Sequence, residues 1–280
     1  MLRSMKVLED YAIGATDGSV GQVKDFYFDD QAWVVRYLVV DAGAWLSNRS
    51  VLISPIAIGH PDWNKKVFPV SITKEQVKDS PAIDTKKPVS RQHEMDHLSY
   101  YGYPYYWGGR GLWGTGMYPN LMLPGYEGFG SPRAERAEED NAYANAYARE
   151  QESRHQDDDP HLRSCNEVIG YHIQASDGEI GHVWGLLMDE ETWAIRYMVV
   201  DTSNWWLGHK VLIAPPWIKD LNWVDGTVSV DLTRQAVKDA PAYDAAMDLN
   251  RKQEQGLYEH YGQAGYWSEG VKLETDINRK

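Results

Sequence analysis

The feature that most constrains this chain is that it matches itself. Shifting the sequence by 160 positions places Leu2-Arg3-Ser4 on Leu162-Arg163-Ser164, Asp17-Gly18 on Asp177-Gly178 and Gly21 on Gly181. The same shift carries Val51-Leu52-Ile53 to Val211-Leu212-Ile213, Pro55 to Pro215, and Val77-Lys78-Asp79 to Val237-Lys238-Asp239. It still holds at Tyr106-Trp107 and Tyr266-Trp267. A gapless match over about a hundred positions is the mark of an internal repeat. The reading is a tandem duplication. Copy one covers 1–107 and ends in an aromatic tail. A linker follows at 108–160, then copy two with its own tail at 161–267, and a C-terminal tail at 268–280.

Within each copy the strongest signal is a run of β-branched and aromatic residues, Trp33 to Asp41 and again Trp193 to Asp201. Both runs are bounded by turn formers, so each reads as a buried strand. Tyr11 to Gly14 reads as a short strand, Asp17-Gly18 as a turn, and Val20 to Phe28 as the strand that pairs antiparallel with Trp33 to Asp41. Val51-Leu52-Ile53, closed by Pro55, is a further strand, and Lys66 to Ile72 is an edge strand carrying Pro69. One short helix follows Thr73, an N-cap with Gln76 as its capping-box partner, and stops at Pro81. In copy two the cap is Thr233, but Ala236 leaves the box incomplete. Many short strands with few helices imply a mainly β fold, a small barrel or sandwich in each copy.

Asp17-Gly18-x-x-Gly21, the strand ending Tyr37-x-Val39-Val40-Asp41, and Val51-Leu52-Ile53-Ser54-Pro55 together resemble the PRC-barrel domain family. That family is named for the cytoplasmic domain of the H subunit of the photosynthetic reaction centre. The resemblance covers both copies, to about Asp84 and Asp244. It implies two tandem six-stranded β-barrels that act as interaction modules and share no catalytic motif. It also implies, as an alternative, an accessory role in photosynthetic electron transfer or reaction-centre assembly.

Composition narrows the partners. A net charge of −13 disfavours nucleic acid and anionic membrane surfaces, because phosphate contacts need Lys and Arg. Cys165 is the only cysteine, so no internal disulfide forms. It aligns with Met5, which suggests an apolar packing slot. Met1 to Asp10 lacks the apolar run of a signal peptide or anchor, and no stretch approaches the roughly 20 residues of a spanning helix. The expectation is no membrane insertion and a cytoplasmic location, with the membrane's cytoplasmic face as a docking place.

The linker divides in two. Residues 108–130 are Gly-rich and aromatic, with Trp113, Met117, Tyr118, Tyr126 and Phe129, and are expected to be irregular; the aromatics fold back on the neighbouring barrel or, as the alternative, form a contact surface for a partner or a second subunit. Ala134 to Arg154, after Ser131-Pro132, reads as a solvated helix ending before Asp157-Asp158-Asp159.

One motif invites chemistry. His93-Glu94-Met95-Asp96-His97 fits H-E-x-x-H, in which two histidines one helical turn apart hold zinc and the glutamate is a general base. Its setting is polar, and copy two has Gln253 and Leu257 in place of the histidines. A zinc hydrolase using His93, Glu94 and His97 is therefore the minor alternative. Arg36 and Arg196, with Asp41 and Asp201, sit at equivalent places on apolar strands of both copies and read as a structural ion pair or an edge position rather than a ligand site. The reading as a whole is a non-catalytic adaptor without a cofactor. It binds a protein partner, associates with itself, or packs its two barrels together. Trp45, Trp63, Trp205, Trp206 and Trp223 are its candidate contact anchors, since Trp is enriched at interface centres.

Overall fold

The computed structural model describes residues 1–81, 89–107, 109–122, 162–202 and 209–268. The expected linker helix, the aspartate run, Tyr126, Phe129, Trp205 and Trp206 lie outside these residues.

The protein is mainly β, with two mixed sheets and few helices. The strands in chain order are β1 (Leu2–Ser4), β2 (Ala12–Ala15), β3 (Gly18–Asp29), β4 (Val34–Asp41), β5 (Ser50–Ile53) and β6 (Val67–Pro69). They continue with β7 (Leu162–Ser164), β8 (His172–Ala175), β9 (Gly178–Asp189), β10 (Ile195–Asp201), β11 (Lys210–Ile213), β12 (Ile218–Asn222) and β13 (Thr227–Val230). The first sheet has six strands, in the order β5-β4-β3-β2-β6 with β7 on β3. The second has seven, in the order β11-β10-β9-β8-β13-β12 with β1 on β9. Six strands were expected in each copy. The seventh arises because Ile218–Asn222 pairs as a strand, whereas its counterpart in the first copy makes only the isolated bridges Ile58↔Val70 and Asp62↔Val67. The expected strand over 66–72 shortens to Val67–Pro69, paired parallel to β2.

Two compact units emerge. Unit 1 comprises Met1, Arg3–Glu167 and Met188–Arg196; unit 2 comprises Leu2, Val168–Leu187 and Tyr197–Lys280. Their bounds do not follow the sequence copies, because unit 1 takes in two pieces from the second copy.

In unit 1 the core takes in both faces of β3 and β4. Phe26, Phe28, Tyr37 and Leu38 are fully buried, and Tyr27, Val39, Leu52, Val89 and Leu162 form a contiguous apolar cluster with Tyr37. The turn joining β3 to β4 is built by Asp29. Its Oδ1 accepts from the N–H groups of Gln31 (3.0 Å) and Ala32 (3.1 Å), and its C=O accepts from Trp33 N–H at 2.7 Å. Trp33 takes a left-handed φ of 54° to close it. Asp189 and Trp193 (φ 60°) repeat the device. The two turns meet through a reciprocal pair of bonds: Val35 N–H donates to Trp193 C=O at 2.9 Å, and Ile195 N–H donates to Trp33 C=O at 2.7 Å.

The Asp-Gly-x-x-Gly signature has a steric cause. Gly18 and Gly178 adopt φ of 140°. At Gly21 an added Cβ would lie 1.9 Å from Asp41 O, and at Gly181 it would lie 2.0 Å from Asp201 O. Asp17 and Asp177 hold the helices that follow, accepting from Lys74 N–H (2.8 Å) and Arg234 N–H (2.7 Å). The helix Lys74–Asp79 carries the full Thr73–Gln76 capping box, while Arg234–Lys238 has only the Thr233 bond to Ala236 N–H.

In unit 2 the core repeats this pattern with Leu186, Leu187, Tyr197, Met198, Val211 and Ile213. The helix Arg251–His260 packs Leu257 and Tyr258 inward, with Tyr258 against Trp217. Among the described residues no helix is long and apolar enough to cross a membrane.

Candidate functional site

The H-E-x-x-H motif lies on the helix Arg91–Tyr101, started by Ser90 and ended by Gly102 in the left-handed region. Polar though the helix is, it has a buried stripe, Glu94, His97 and Leu98, at the three- and four-residue spacing of one face. This corrects the expectation of a helix with no inward side. The stripe was invisible because two of its members are Glu and His.

Each motif residue has a structural task. His97 is 1% exposed, and its Nε2–H donates to Leu52 C=O at 3.0 Å. Its ring meets Tyr37 edge-on at 5.0 Å between centroids. Burial brings its pKa down to about 4. Its Nδ1 is buried and has no hydrogen-bond partner among the described residues. His93 faces solvent, with Nδ1 2.8 Å from Ser90 Oγ. The two rings therefore turn to different surroundings, one into the core and one outward, and do not converge on a common point.

Glu94 is committed as well. It is 1% exposed, ion-paired with Arg91 (3.0 Å), and accepts from the Tyr106 hydroxyl. Burial pushes its pKa up to about 7, opposed by the Arg91 charge. Arg91 also donates to Tyr106 Oη (3.1 Å) and lies 4.3 Å over the Trp107 ring. Above this layer sits Arg36, 3% exposed. Its guanidinium is 3.8 Å from the Tyr106 centroid and 4.8 Å from Trp113, donates to Leu112 C=O at 2.6 Å and pairs with Asp29 at 3.3 Å. An ion pair was expected for Arg36; its partner is the turn aspartate. Trp113 completes the lid, fully buried, with its indole N–H donating to Thr192 C=O at 2.9 Å. The expected folding-back of the Gly/aromatic segment is thus observed for Trp113, whereas Met117 and Tyr118 remain exposed.

The same tail recurs in unit 2. Arg251 pairs with Glu254 (2.9 Å) and covers Trp267 at 4.5 Å, while Tyr197 and Tyr266 both donate to Glu254 Oε1 at 2.9 Å. A Glu–Arg pair under a Tyr-Trp clamp is therefore a fastening device in both places, and the histidines are incidental to it. Among the described residues no group of three His, Cys, Asp or Glu side chains could hold a metal ion.

Cys165 fills the apolar slot expected of it, buried like Met5, and burial raises its thiol pKa well above the usual range. Of the candidate anchors, Trp45 is about one-third exposed, its indole N–H bonded to Val20 C=O at 2.6 Å and its ring under Lys74 at 4.4 Å. Trp223 is half-buried against Tyr171. Trp63 is half-buried between Tyr11 and Phe68, with the Arg3 guanidinium 4.3 Å above its ring.

Trp63 opens onto a cleft of about 700 Å³ in unit 1. One wall is Pro55 and Ile58, at the 3-10 turn after β5, continuing through His60 and Pro61 to Trp63. A second wall is Tyr118 to Leu121, around the 3-10 turn Pro119–Met122 that packs on the first. The third is the β9–β10 turn, with Glu190, Glu191 and Trp193. Sequence reasoning named Trp63 and, within the Gly/aromatic segment, Tyr118, and missed the other walls, since three stretches far apart in the chain supply them. The one available signal was local: Met117 and Tyr118 beside a proline, with no periodic pattern to bury them.

No family model matches this chain. Among curated proteins it is similar to an uncharacterized protein of Deinococcus radiodurans, 37% identical over 68 residues. The match covers 24% of this chain and 24% of that protein, so the chain spans about a quarter of the length of its relative.

Proposed function

We propose that this chain is a non-catalytic protein-binding module, two PRC-type β-barrels duplicated in tandem and used as an adaptor. The observation that carries the reading is where the polar chemistry goes. Glu94, His97, Arg36 and Asp29 are buried, and with the half-buried Arg91 they are bonded to one another or to backbone. The open chemistry is instead aromatic and apolar, in the cleft at Trp63 and Tyr118. A concave, mostly apolar surface with a few polar groups is what binding sites are made of. The repeat of the helix supports the duplicated-module reading too, because each copy's helix is fastened to its sheet, in the first by His97 on Leu52 C=O and in the second by Tyr197 on Glu254.

The test is retention of a partner. The immobilised full chain, washed with chelator, is expected to hold a protein from an extract of its own cells in a saturable, salt-sensitive way, beyond a matched control surface. Nothing retained above that control sinks the reading. So does a hydrolytic activity of the purified chain that disappears in Glu94→Gln.

A further inference from the structure

Of the features that the fold does not use up, the cleft at Trp63 carries the most. The Glu94 cluster is consumed in packing, and Cys165 is sealed. We propose that the cleft docks an extended, proline-containing segment of a partner protein that carries an arginine or lysine; this rests on the binding-module reading above and names the kind of partner.

Four observations support it. The volume, about 700 Å³, lies within the range of roughly 300–1,000 Å³ typical of binding clefts. Its accessible walls offer flat rings and a proline, Trp63, Tyr118 and Pro61, backed by the buried Trp193 and Pro55, the kind of surface on which proline-rich segments lie. Such segments are already extended in water, so docking orders them at small entropic cost. Second, the lip is apolar and open: Met117, Tyr118 and Leu121 are 46%, 41% and 44% exposed, a contiguous patch beside the opening.

Third, one carboxylate of the site is left over from the chain's own pairing: Glu190 is held by Arg3 (2.7 Å) and by the Met1 ammonium (3.3 Å), which leaves Glu191 for a partner. Both glutamates stand on one wall of the cleft. The chain itself shows what this wall accepts. The Arg3 guanidinium lies 4.3 Å over Trp63 while its Nε donates to Glu190 at 2.7 Å. An indole face beside a carboxylate seats a guanidinium well. Glu191 is the second carboxylate, exposed and without an ion pair among the described residues. With a net charge of −13, the chain draws basic segments and repels nucleic acid and a second copy of itself.

Fourth, the letters of the site are not repeated by the 160-residue shift. At the positions 160 further on, Gly59, His60 and Pro61 become Lys219, Asp220 and Leu221, and that stretch is strand β12. Tyr118, Pro119 and Asn120 become Asn278, Arg279 and Lys280, so the aromatic and proline letters of that wall are not repeated.

The test is calorimetric titration of the full chain with a short synthetic peptide of prolines around one arginine. The same peptide with glutamate for arginine, and one with alanine for the prolines, are the controls. The arginine peptide is expected to bind at least about tenfold more tightly than either control, and to weaken as salt rises. Tyr118→Ala and Glu191→Lys, both at the surface, are each expected to reduce its affinity about five- to tenfold with an unchanged thermal melt. Equal binding of the arginine and glutamate peptides overturns the inference, as does no binding, or binding indifferent to both variants. A dimer of the free chain that dissociates in Tyr118→Ala overturns it as well, since the occupant is then a second copy. A partner protein retained equally by wild type and by the Tyr118→Ala, Glu191→Lys double variant overturns this docking site while leaving the binding-module reading in place.

Discussion

The helix Arg91–Tyr101 and the helix Arg251–His260 carry the same fastening, sealed to different depths. Arg91 is 23% exposed in its side chain and Arg251 is 50% exposed. In unit 1, Arg36 and Trp113 close over the Glu94 pair, and Trp113 comes from the segment that follows the tail. In unit 2 the Glu254 pair is covered by Tyr266 and Trp267. Identical letters thus give an interior ion pair in one place and a rim pair in the other. What separates them is the chain laid on top.

The largest expected consequence concerns the glutamates. Glu94→Ala strands Arg91 and Tyr106 without their acceptor and should cost about 3–4 kcal/mol of stability, the range for breaking a buried pair from one side. Glu254→Ala should cost only about 1–2 kcal/mol, because water screens the half-exposed Arg251. Urea unfolding of both variants measures this, and equal losses would break the comparison.

The next effect is a pH dependence that hides itself. Glu94 has a folded pKa of about 7 against an ordinary 4.5, so its stabilising contribution is present below pH 4.5 and lost as pH rises to about 7. His97 lies at about 4 against an ordinary 6.5, so its contribution is present above pH 6.5 and lost as pH falls to about 4. Between pH 4.5 and 6.5 the two oppose, and wild-type stability should be nearly level there. His97→Leu installs the residue found at Leu257 and removes one slope. Stability should then fall as pH rises through that window, by about 1 kcal/mol per unit. A level profile in His97→Leu would show that Arg91 keeps Glu94 ionised throughout.

The smallest effect lies at the helix starts. Asn250 and Gln253 form a complete capping box, whereas Ser90 Oγ meets the His93 N–H and Nδ1 and, among the described residues, no reciprocal bond to the Ser90 N–H completes a box. His93→Gln writes the missing half of that box and should stabilise by about 0.5 kcal/mol. It also removes one histidine of the H-E-x-x-H motif, so a stable variant that behaves like wild type sharpens the structural account of that motif. A loss of stability would instead show that His93 does something besides face solvent.

Much of the fold was legible because it is written in local rules. The strands around Val39-Val40 and Val199-Val200 follow from β-branched runs, and Thr73 with Gln76 announced a helix start that is observed. Asp17 was read as a turn residue, and it is one, but its second task as acceptor for Lys74 N–H needed the helix brought beside it. Trp63 was legible as an anchor, while Glu190 and Trp193, over a hundred residues away, were not.

By itself, the sequence determined the period of 160, the strand positions, the turn glycines and the lack of a second cysteine, since each depends on neighbouring residues or on counting. Only the tertiary structure decided which polar residues lie inside. A glutamate or histidine on a helix reads as solvent-facing until an arginine, a tyrosine hydroxyl or a strand carbonyl from elsewhere meets its hydrogen bonds, and those partners are supplied by packing. The fate of His97 and Glu94 was settled by Leu52, Tyr106 and Arg36, and the cleft by the meeting of three loops.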